Sequence, residues 1–277
     1  MQTAVSIIII NYNTFQLTCN CIESVLLHTT GLSYEIILVD NASTESEADL
    51  FKRKFPSIHL IKSETNLGFA GGNNLGLQYA TGEYVLLLNS DTLLTENSIL
   101  FIYEKAKAIP ALGAATVKLV YPDGSIQPAA RSFPSVKKHF LEFTRLHRLF
   151  RSTYDKLAER FDYNTDFSCD WIWGTFFFFP RKNLQLTGGK LAATYFMYSE
   201  DVEWCYLFSK QGLVNYYFSG SSVIHLIGKS SGDKYKRSLV RKNHLHFIRT
   251  RYGLLPYLLE WVLCKGDDLE QRLRKTA

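Results

Sequence analysis

Residues 83–95 read Glu-Tyr-Val-Leu-Leu-Leu-Asn-Ser-Asp-Thr-Leu-Leu-Thr, and this stretch decides the fold. Five uninterrupted apolar residues, Tyr84 to Leu88, have the pattern of a strand buried on both faces. Such strands belong to parallel sheets covered by helices on each side. The run stops at Asn89-Ser90-Asp91, so a carboxylate and two small polar groups follow the C-terminal end of a central strand. Open α/β sheets bind ligands there. Taken alone the triplet reads equally as a turn, since all three residue types favour turns and caps.

The same arrangement recurs upstream. Residues 5–10, VSIIII, form a β-branched strand ending in Asn11-Tyr12-Asn13. Leu17, Cys21, Ile22, Val25 and Leu26 then recur at helical spacing to about His28, with Gly31 closing the turn. Residues 34–39, YEIILV, end in Asp40-Asn41-Ala42-Ser43 and precede a helix expected from Glu45 to Phe55 and stopped by Pro56. A short strand over 58–61 leads into Asn66-Leu67-Gly68-Phe69-Ala70-Gly71-Gly72-Asn73-Asn74, and a helix is expected to about Ala80, with Gly82 past its end. Strands that alternate with helix-length segments and all end in Asn or Asp predict an α/β fold: a doubly wound, mostly parallel sheet with one polar rim. That rim suits a nucleotide. Asp accepts from a base or ribose hydroxyl, Asn amides bond base edges, and glycines let backbone N–H groups approach phosphate. Gly68 and Asn73 join the candidate substrate contacts on this ground, although a helix start that needs a small residue explains Gly68 as well. Neither a G-x-G-x-x-G nor a G-x-x-x-x-G-K-[ST] motif occurs, which excludes the familiar dinucleotide and P-loop sites.

The chain has 277 residues, 46% of them hydrophobic and 14% aromatic, enough for a large core. It contains no run of 18 apolar residues, and the start, MQTAVSIIII, lacks the basic segment of a secretory signal, so this apolar run is expected to be the first strand. Five cysteines, Cys19, Cys21, Cys169, Cys205 and Cys264, include no C-x-x-C pair, which argues against a disulfide framework or a structural zinc site and fits a reducing cytoplasm. The net charge of +5 is uneven: from Gly228 onward 12 Lys and Arg face 5 Asp and Glu, against 19 and 21 in the residues before.

In order and spacing, VSIIIINYN, ILVDNAS, NLGFAGGNN and LLLNSDTLL are similar to the amino-terminal half of glycosyltransferase family 2, inverting enzymes of the GT-A fold. WGTFFFFPR, YFMYSEDVEWC and VIHLIGKSSG resemble that family's acceptor-side half, and DGSIQPAARSFPS resembles its bacterial rhamnosyltransferase-like members. The resemblance covers roughly residues 4–232. It implies that Asn11, Tyr12, Asn13, Asp40 and Asn66 hold the nucleoside. Asn89-Ser90-Asp91 stands where the family often has Asp-x-Asp, so Asn89 replaces a carboxylate and leaves Asp91 as the strong metal ligand of the triplet. His225 matches a second ligand, and this donor set with diphosphate oxygens suits Mg²⁺ or Mn²⁺; a lone His is otherwise more often structural. The Glu200-Asp201 pair contains the family's general base, here Asp201, with Glu200 assigned to acceptor or sugar hydroxyls. By residue type alone, acids in the first turn of a helix need no catalytic reason, because the helix dipole favours them.

Three further positions complete the candidate substrate contacts. Arg131 carries a permanent charge that could meet a phosphate or the acceptor, or solvent. Trp173 could stack on a sugar ring, and Gly174 would let a sugar approach the backbone. The phenylalanines of 176–179 read as core. Residues 137–161 read as an amphipathic helix with Phe140, Phe143, Leu146 and Phe150 on one side.

The implied organisation is a GT-A domain over 1–232, with a nucleotide-sugar half at 1–120 and an acceptor-side half at 121–232, and a basic helical C-terminal extension over 233–277. The implied reaction is inverting transfer from a dTDP- or UDP-sugar, dTDP-rhamnose among them, to a hydroxyl of a glycan or lipid-linked acceptor in bacterial polysaccharide synthesis. Two other readings stand beside it: a nucleotide-sugar-binding protein without turnover, suggested by Asn89, and a sugar-phosphate nucleotidyltransferase. The latter would carry a Gly-rich, Arg-containing loop where this chain has Asn11-Tyr12-Asn13. No nucleic-acid partner is expected, and homo-oligomerisation is left open. Basic residues beside 254–263, LLPYLLEWVL, suit peripheral contact with the inner face of the cell membrane through 229–263; packing on the catalytic domain or a partner subunit suits them equally. This apolar stretch is too short to span a bilayer and carries Pro256 and Glu260 within it, so it is not expected to cross the membrane.

Overall fold

The computed structural model describes residues 3–157, 161–226 and 233–276, with backbone alone for 233–235 and 270–276. One compact unit comprises Met1–Arg131 and Phe161–Ser230, and a second comprises Ser132–Arg160 and Ser231–Ala277.

The first unit is built on β1 (Val5–Asn11), α1 (Phe15–His28), β2 (Tyr34–Asp40), α2 (Asp49–Lys54), β3 (His59–Lys62), α3 (Gly68–Leu77), β4 (Tyr84–Asn89), β5 (Thr92–Leu94), α4 (Ser98–Lys107), β6 (Leu112–Val120), β7 (Ile126–Gln127) and β8 (Ala130–Arg131). Its sheet runs β3-β2-β1-β4 with all neighbours parallel. The register sets Asn11 beside Asp40 and Ile10 beside Asn89, so the polar strand ends meet at one edge. The helices that connect them cover both faces, as the unbroken apolar runs require. Ile7 and Ile9 share a core with Cys21, Ile22 and Val25 of α1 and with Ile99 and Ile102 of α4. On the other face α3 lies so close that a Cβ at Gly76 would come 2.7 Å from Ile8 and 3.2 Å from Val39.

In the second unit α5 (Val136–Phe143) and α6 (Arg151–Leu157) come first. The chain then returns to the first unit with β9 (Phe167–Cys169), β10 (Trp171–Ile172), β11 (Phe176–Pro180), α7 (Glu200–Lys210) and β12 (Val214–His225). The sheet continues β4-β11-β6-β12-β5, and β11 runs antiparallel to both of its neighbours. Phe176 to Phe179 are fully buried. Phe178 stacks on Tyr84 with centroids 5.2 Å apart, whereas Phe177 meets Trp204 and Phe179 meets Phe208, both on α7. β10 pairs with β8 in a separate ribbon.

Two helices are shorter than the sequence predicts. The helix expected from Glu45 begins only at Asp49, because the backbone N–H groups of Thr44 and Glu45 donate to Asn13 Oδ1 and the Glu45 carboxylate accepts from the Phe15 N–H. These bonds tie the loop to the end of β1. The helix expected to reach Ala80 ends at Leu77.

The second unit continues with α8 (Asp233–Tyr252) and α9 (Leu254–Thr276). The single helix expected over 137–161 is broken: α5 stops at Phe143 and Arg145 adopts a left-handed backbone, φ 58°, before a 3₁₀ turn at Leu146–Arg148. On α5 the buried residue is Leu141, while Phe140, Phe143 and Phe150 of the expected apolar side are exposed. The Phe143 ring instead occupies the space beside Gly266 of α9. Residues 132–157 therefore group in one unit with the C-terminal helices, whereas the sequence assigns them to the acceptor-side half. α9 runs on through Pro256 and Glu260. Pro256 falls in its first turn, where no intrahelical N–H bond is lost, and Glu260 is buried. Among the described residues no helix is long and apolar enough to cross a membrane.

Candidate active site

Three strand ends and their loops build a polar network. Asn11 is fully buried and its amide is fully engaged: Nδ2 donates to Asp40 Oδ1 and Ser43 Oγ, both at 2.8 Å, and Oδ1 accepts from the Thr14 and Thr18 hydroxyls at 3.1 and 2.9 Å. Asp40 is nearly buried, and its Oδ2 takes the Ser43 N–H at 3.2 Å. Asn41 links β2 to the next loop, donating to Asn66 Oδ1 and accepting from the Leu67 N–H. Of the residues expected to hold a nucleoside, Tyr12 and Asn13 are exposed and Asn66 is half-buried. Asn11 differs: its buried amide orients Asp40 and Ser43 and offers no surface to a ligand. Asn73 also lies inside, its amide donating to Phe69 O within α3. Gly68 has φ 71°, and a Cβ there would meet Phe196 O at 2.2 Å. Its constraint is thus backbone conformation and packing, and the following Phe69 N–H donates to that same carbonyl at 2.9 Å.

After β4, Asn89 and Ser90 are half-buried, and the Ser90 hydroxyl lies 3.2 Å from that of Thr14. β12 ends opposite β5 with His225 aligned to Thr92, and the Leu226 N–H donates to Asp91 O. This pairing brings His225 Nε2 to 3.5 Å from Asp91 Oδ1. Gln127, fully buried on β7, fixes the imidazole. Its Nε2 donates to His225 O at 2.8 Å, so its Oε1 must face His225 Nδ1, also at 2.8 Å. An amide oxygen only accepts, which puts a proton on Nδ1 and turns Nε2 towards Asp91. A carboxylate oxygen and an imidazole nitrogen 3.5 Å apart fit two ligands of one ion at about 2.1 Å each, and a second residue holding the far imidazole nitrogen is the usual support of a metal-ligating His. Nothing in the sequence marks Gln127, since a lone glutamine in a turn-rich stretch carries no signal until the strands bring it to His225.

Asp201 opens α7. Its Oδ2 accepts the Gly174 N–H at 3.1 Å and its Oδ1 the Val202 N–H at 2.9 Å. Burial pushes its pKa up to about 6 against the opposing effect of these donors. Glu200 beside it is buried, with Oε2 unpartnered, and its pKa is raised well above the carboxylate range by desolvation first and the Asp201 charge second. Of the two, Asp201 has the backbone N–H donors that favour a charged carboxylate. Ser199 occupies the N-cap position but has a left-handed backbone, φ 73°, and its hydroxyl makes no cap bond. Burial separates Glu200 from the substrate contact expected of it. The Gly174 neighbours are the Phe69 ring and Asp201. Trp173 is half-buried against the core, its backbone N–H donating to Ala129 O. Arg131 lies half-buried in the β8–β10 ribbon, paired with Trp171. A backbone bond joins the Asp201 and Asp91 segments: the carbonyl of Thr175, the residue after Gly174, accepts the Asn89 N–H at 2.9 Å, two positions before Asp91.

The profile of the family described as Glycosyl transferase family 2 matches residues 6–202. The chain is 31% identical over 110 residues to glycosyltransferase GlyG of Streptococcus pneumoniae serotype 4, covering 39% of this chain and 36% of that one. It is 24% identical over 210 residues to the N-acetylglucosaminyl-diphospho-decaprenol L-rhamnosyltransferase of Mycobacterium tuberculosis, covering 71% and 68%. The chain thus spans about a third of the first relative's length. Its fold is similar to the crystal structure of GalNAc-T7 with UDP, GalNAc and Mn²⁺, with a TM-score of 0.61 at 16% identity, covering 92% of this chain and 53% of that one.

Proposed function

The chain belongs to glycosyltransferase family 2, and from that premise we propose that this glycosyltransferase moves a sugar with inversion from a dTDP- or UDP-sugar, dTDP-rhamnose among them, to a hydroxyl of a glycan or lipid-linked acceptor. The observation that carries the proposal is the bonded path Asp201–Gly174–Thr175–Asn89, which links a carboxylate of pKa about 6 to the strand end that bears Asp91 and His225. Asp201 takes the acceptor proton as the oxygen attacks the anomeric carbon from the face opposite the nucleoside diphosphate. Near-neutral basicity suits that task, because a weaker base would hold no proton and a stronger one would already be protonated. Asp91 and His225 would hold Mg²⁺ or Mn²⁺ together with diphosphate oxygens, and the ion supplies neutralisation of charge on the departing diphosphate. Tyr12, Asn13, Asp40 and Asn66 contact the nucleoside, with Asn11 holding Asp40 in place. Arg131 and Trp173 are proposed for the acceptor side.

A lipid-linked acceptor agrees with the helical unit. Leu254, Leu255, Leu258, Leu259, Trp261 and Val262 of α9 are all exposed. Beside them a cleft of about 420 Å³ is lined by Arg241, Lys242, Arg249 and Lys265 with Tyr257 and Trp261. Apolar side chains next to cations suit the surface of an anionic membrane, here its cytoplasmic face. Of the segment 229–263, residues 229–232 lie outside the described residues. Isotope-labelled nucleotide sugars incubated with Mn²⁺ and a sugar-diphospholipid acceptor test the proposal. Labelled product from at least one donor is expected. Donor that binds but is never transferred would leave a binding protein instead.

A further inference from the structure

The second unit holds a polar cluster that the transfer reaction does not use. It brings together side chains from three helices: His139 of α5, His244 of α8, and Glu260, Cys264 and Asp267 of α9. Glu260 Oε1 lies 2.9 Å from His139 Nδ1 and 2.7 Å from His244 Nε2, and Cys264 Sγ is 3.9 Å away. One ligand atom each from His139, Glu260 and Cys264 lie within 4.8 Å of one another. Tetrahedral zinc with bonds of about 2.0–2.3 Å needs its ligand atoms about 3.4 Å apart, so small side-chain shifts suffice for these three, and His244, 2.7 Å from Glu260 Oε1, must turn further to join them. Two features go beyond what a charge network needs. The Glu260 side chain is only 4% exposed, yet its Oε2 has no partner. His139 Nε2 lies 3.0 Å from Asp267 Oδ2, which gives the carboxylate–histidine arrangement that orients an imidazole for a metal.

We propose that His139 Nδ1, Glu260 and Cys264 bind a zinc ion, with His244 as fourth ligand and Asp267 holding the His139 ring, so that the metal fastens α5, α8 and α9 together. Imidazole, thiolate and carboxylate are the zinc set, and a four-coordinate site without an open position is structural. The charges balance, since the thiolate and carboxylate neutralise a dication bound by two neutral imidazoles. Ligation requires the thiolate and neutral imidazoles, so binding releases protons. Cys264 also lines the cleft between α8 and α9, which gives the ion a route in.

The test is cobalt spectroscopy of the chelator-stripped full chain. One equivalent of Co²⁺ is expected to give tetrahedral visible bands and a thiolate charge-transfer band, both removed by Zn²⁺. Both should persist in Asp91→Ala, which separates this site from the one proposed for the donor. Cys264→Ser should abolish the charge-transfer band, and Asp267→Asn should weaken zinc binding by about 10–100-fold. A wild-type spectrum without the tetrahedral and charge-transfer bands, or one unchanged in Cys264→Ser, would overturn the site and leave a hydrogen-bonded network of acids and imidazoles. Should a variant fail to fold, the wild-type spectrum alone decides.

Discussion

The Asp201 carboxylate gains its basicity from desolvation, set against two backbone N–H donors that favour the charged form. Asp201→Asn keeps the size and most hydrogen bonds but removes the base. Transfer is expected to fall by about 10²-fold or more, with nucleotide binding intact. The base acts only when ionised, so the wild-type rate should fall as pH drops below about 6 and level off above it. The Asn variant should lack that break. Near wild-type transfer by the variant would return Asp201 to the role of a helix-terminal acid. The motifs singled out Asp201, Asp91 and His225, and the structure sets the last two 3.5 Å apart. The roles of Asn11 and Gln127 were not legible in the sequence, because an amide's part depends on what its two ends meet. Asn11 turns both ends inward, and Gln127 meets His225 only after β6, β7 and β12 are aligned.

At the scale of elements, unbroken apolar runs announced the strands, and their polar ends announced the rim. The reversed direction of β11 left no trace in Phe176 to Phe179, since a buried strand reads the same either way. The break at Arg145 was equally hidden, because nothing in the residue type demands a left-handed backbone. α3 begins where its backbone must be left-handed and must also accept the close approach of Phe196. Gly68→Ala is expected to cost about 1–2 kcal/mol from backbone conformation alone, with the contact at Phe196 O adding to it. A fall in Tm of about 3 °C or more should appear in thermal denaturation. An unchanged Tm would mean that the 196–199 loop is not packed on this helix start.

For the whole molecule, uneven charge marks the C-terminal segment in the sequence, but nothing there joins residues 132–157 to it; tertiary contacts such as His139 with Glu260 do so. Cosedimentation of the chain with anionic liposomes should show binding that weakens as salt screens the cations. Equal binding to neutral liposomes, or none to either, would assign the exposed face of α9 to another partner. The donor site makes the most direct demand. Isothermal titration of UDP and dTDP, with and without Mn²⁺, should show metal-dependent binding of at least one nucleotide. That dependence should disappear in Asp91→Ala. In Gln127→Met it should weaken by about 10–100-fold, the scale set by losing the partner that orients a ligating histidine. Binding indifferent to Mn²⁺, or unchanged in Asp91→Ala, would contradict a nucleoside-diphosphate and metal site at the ends of these strands.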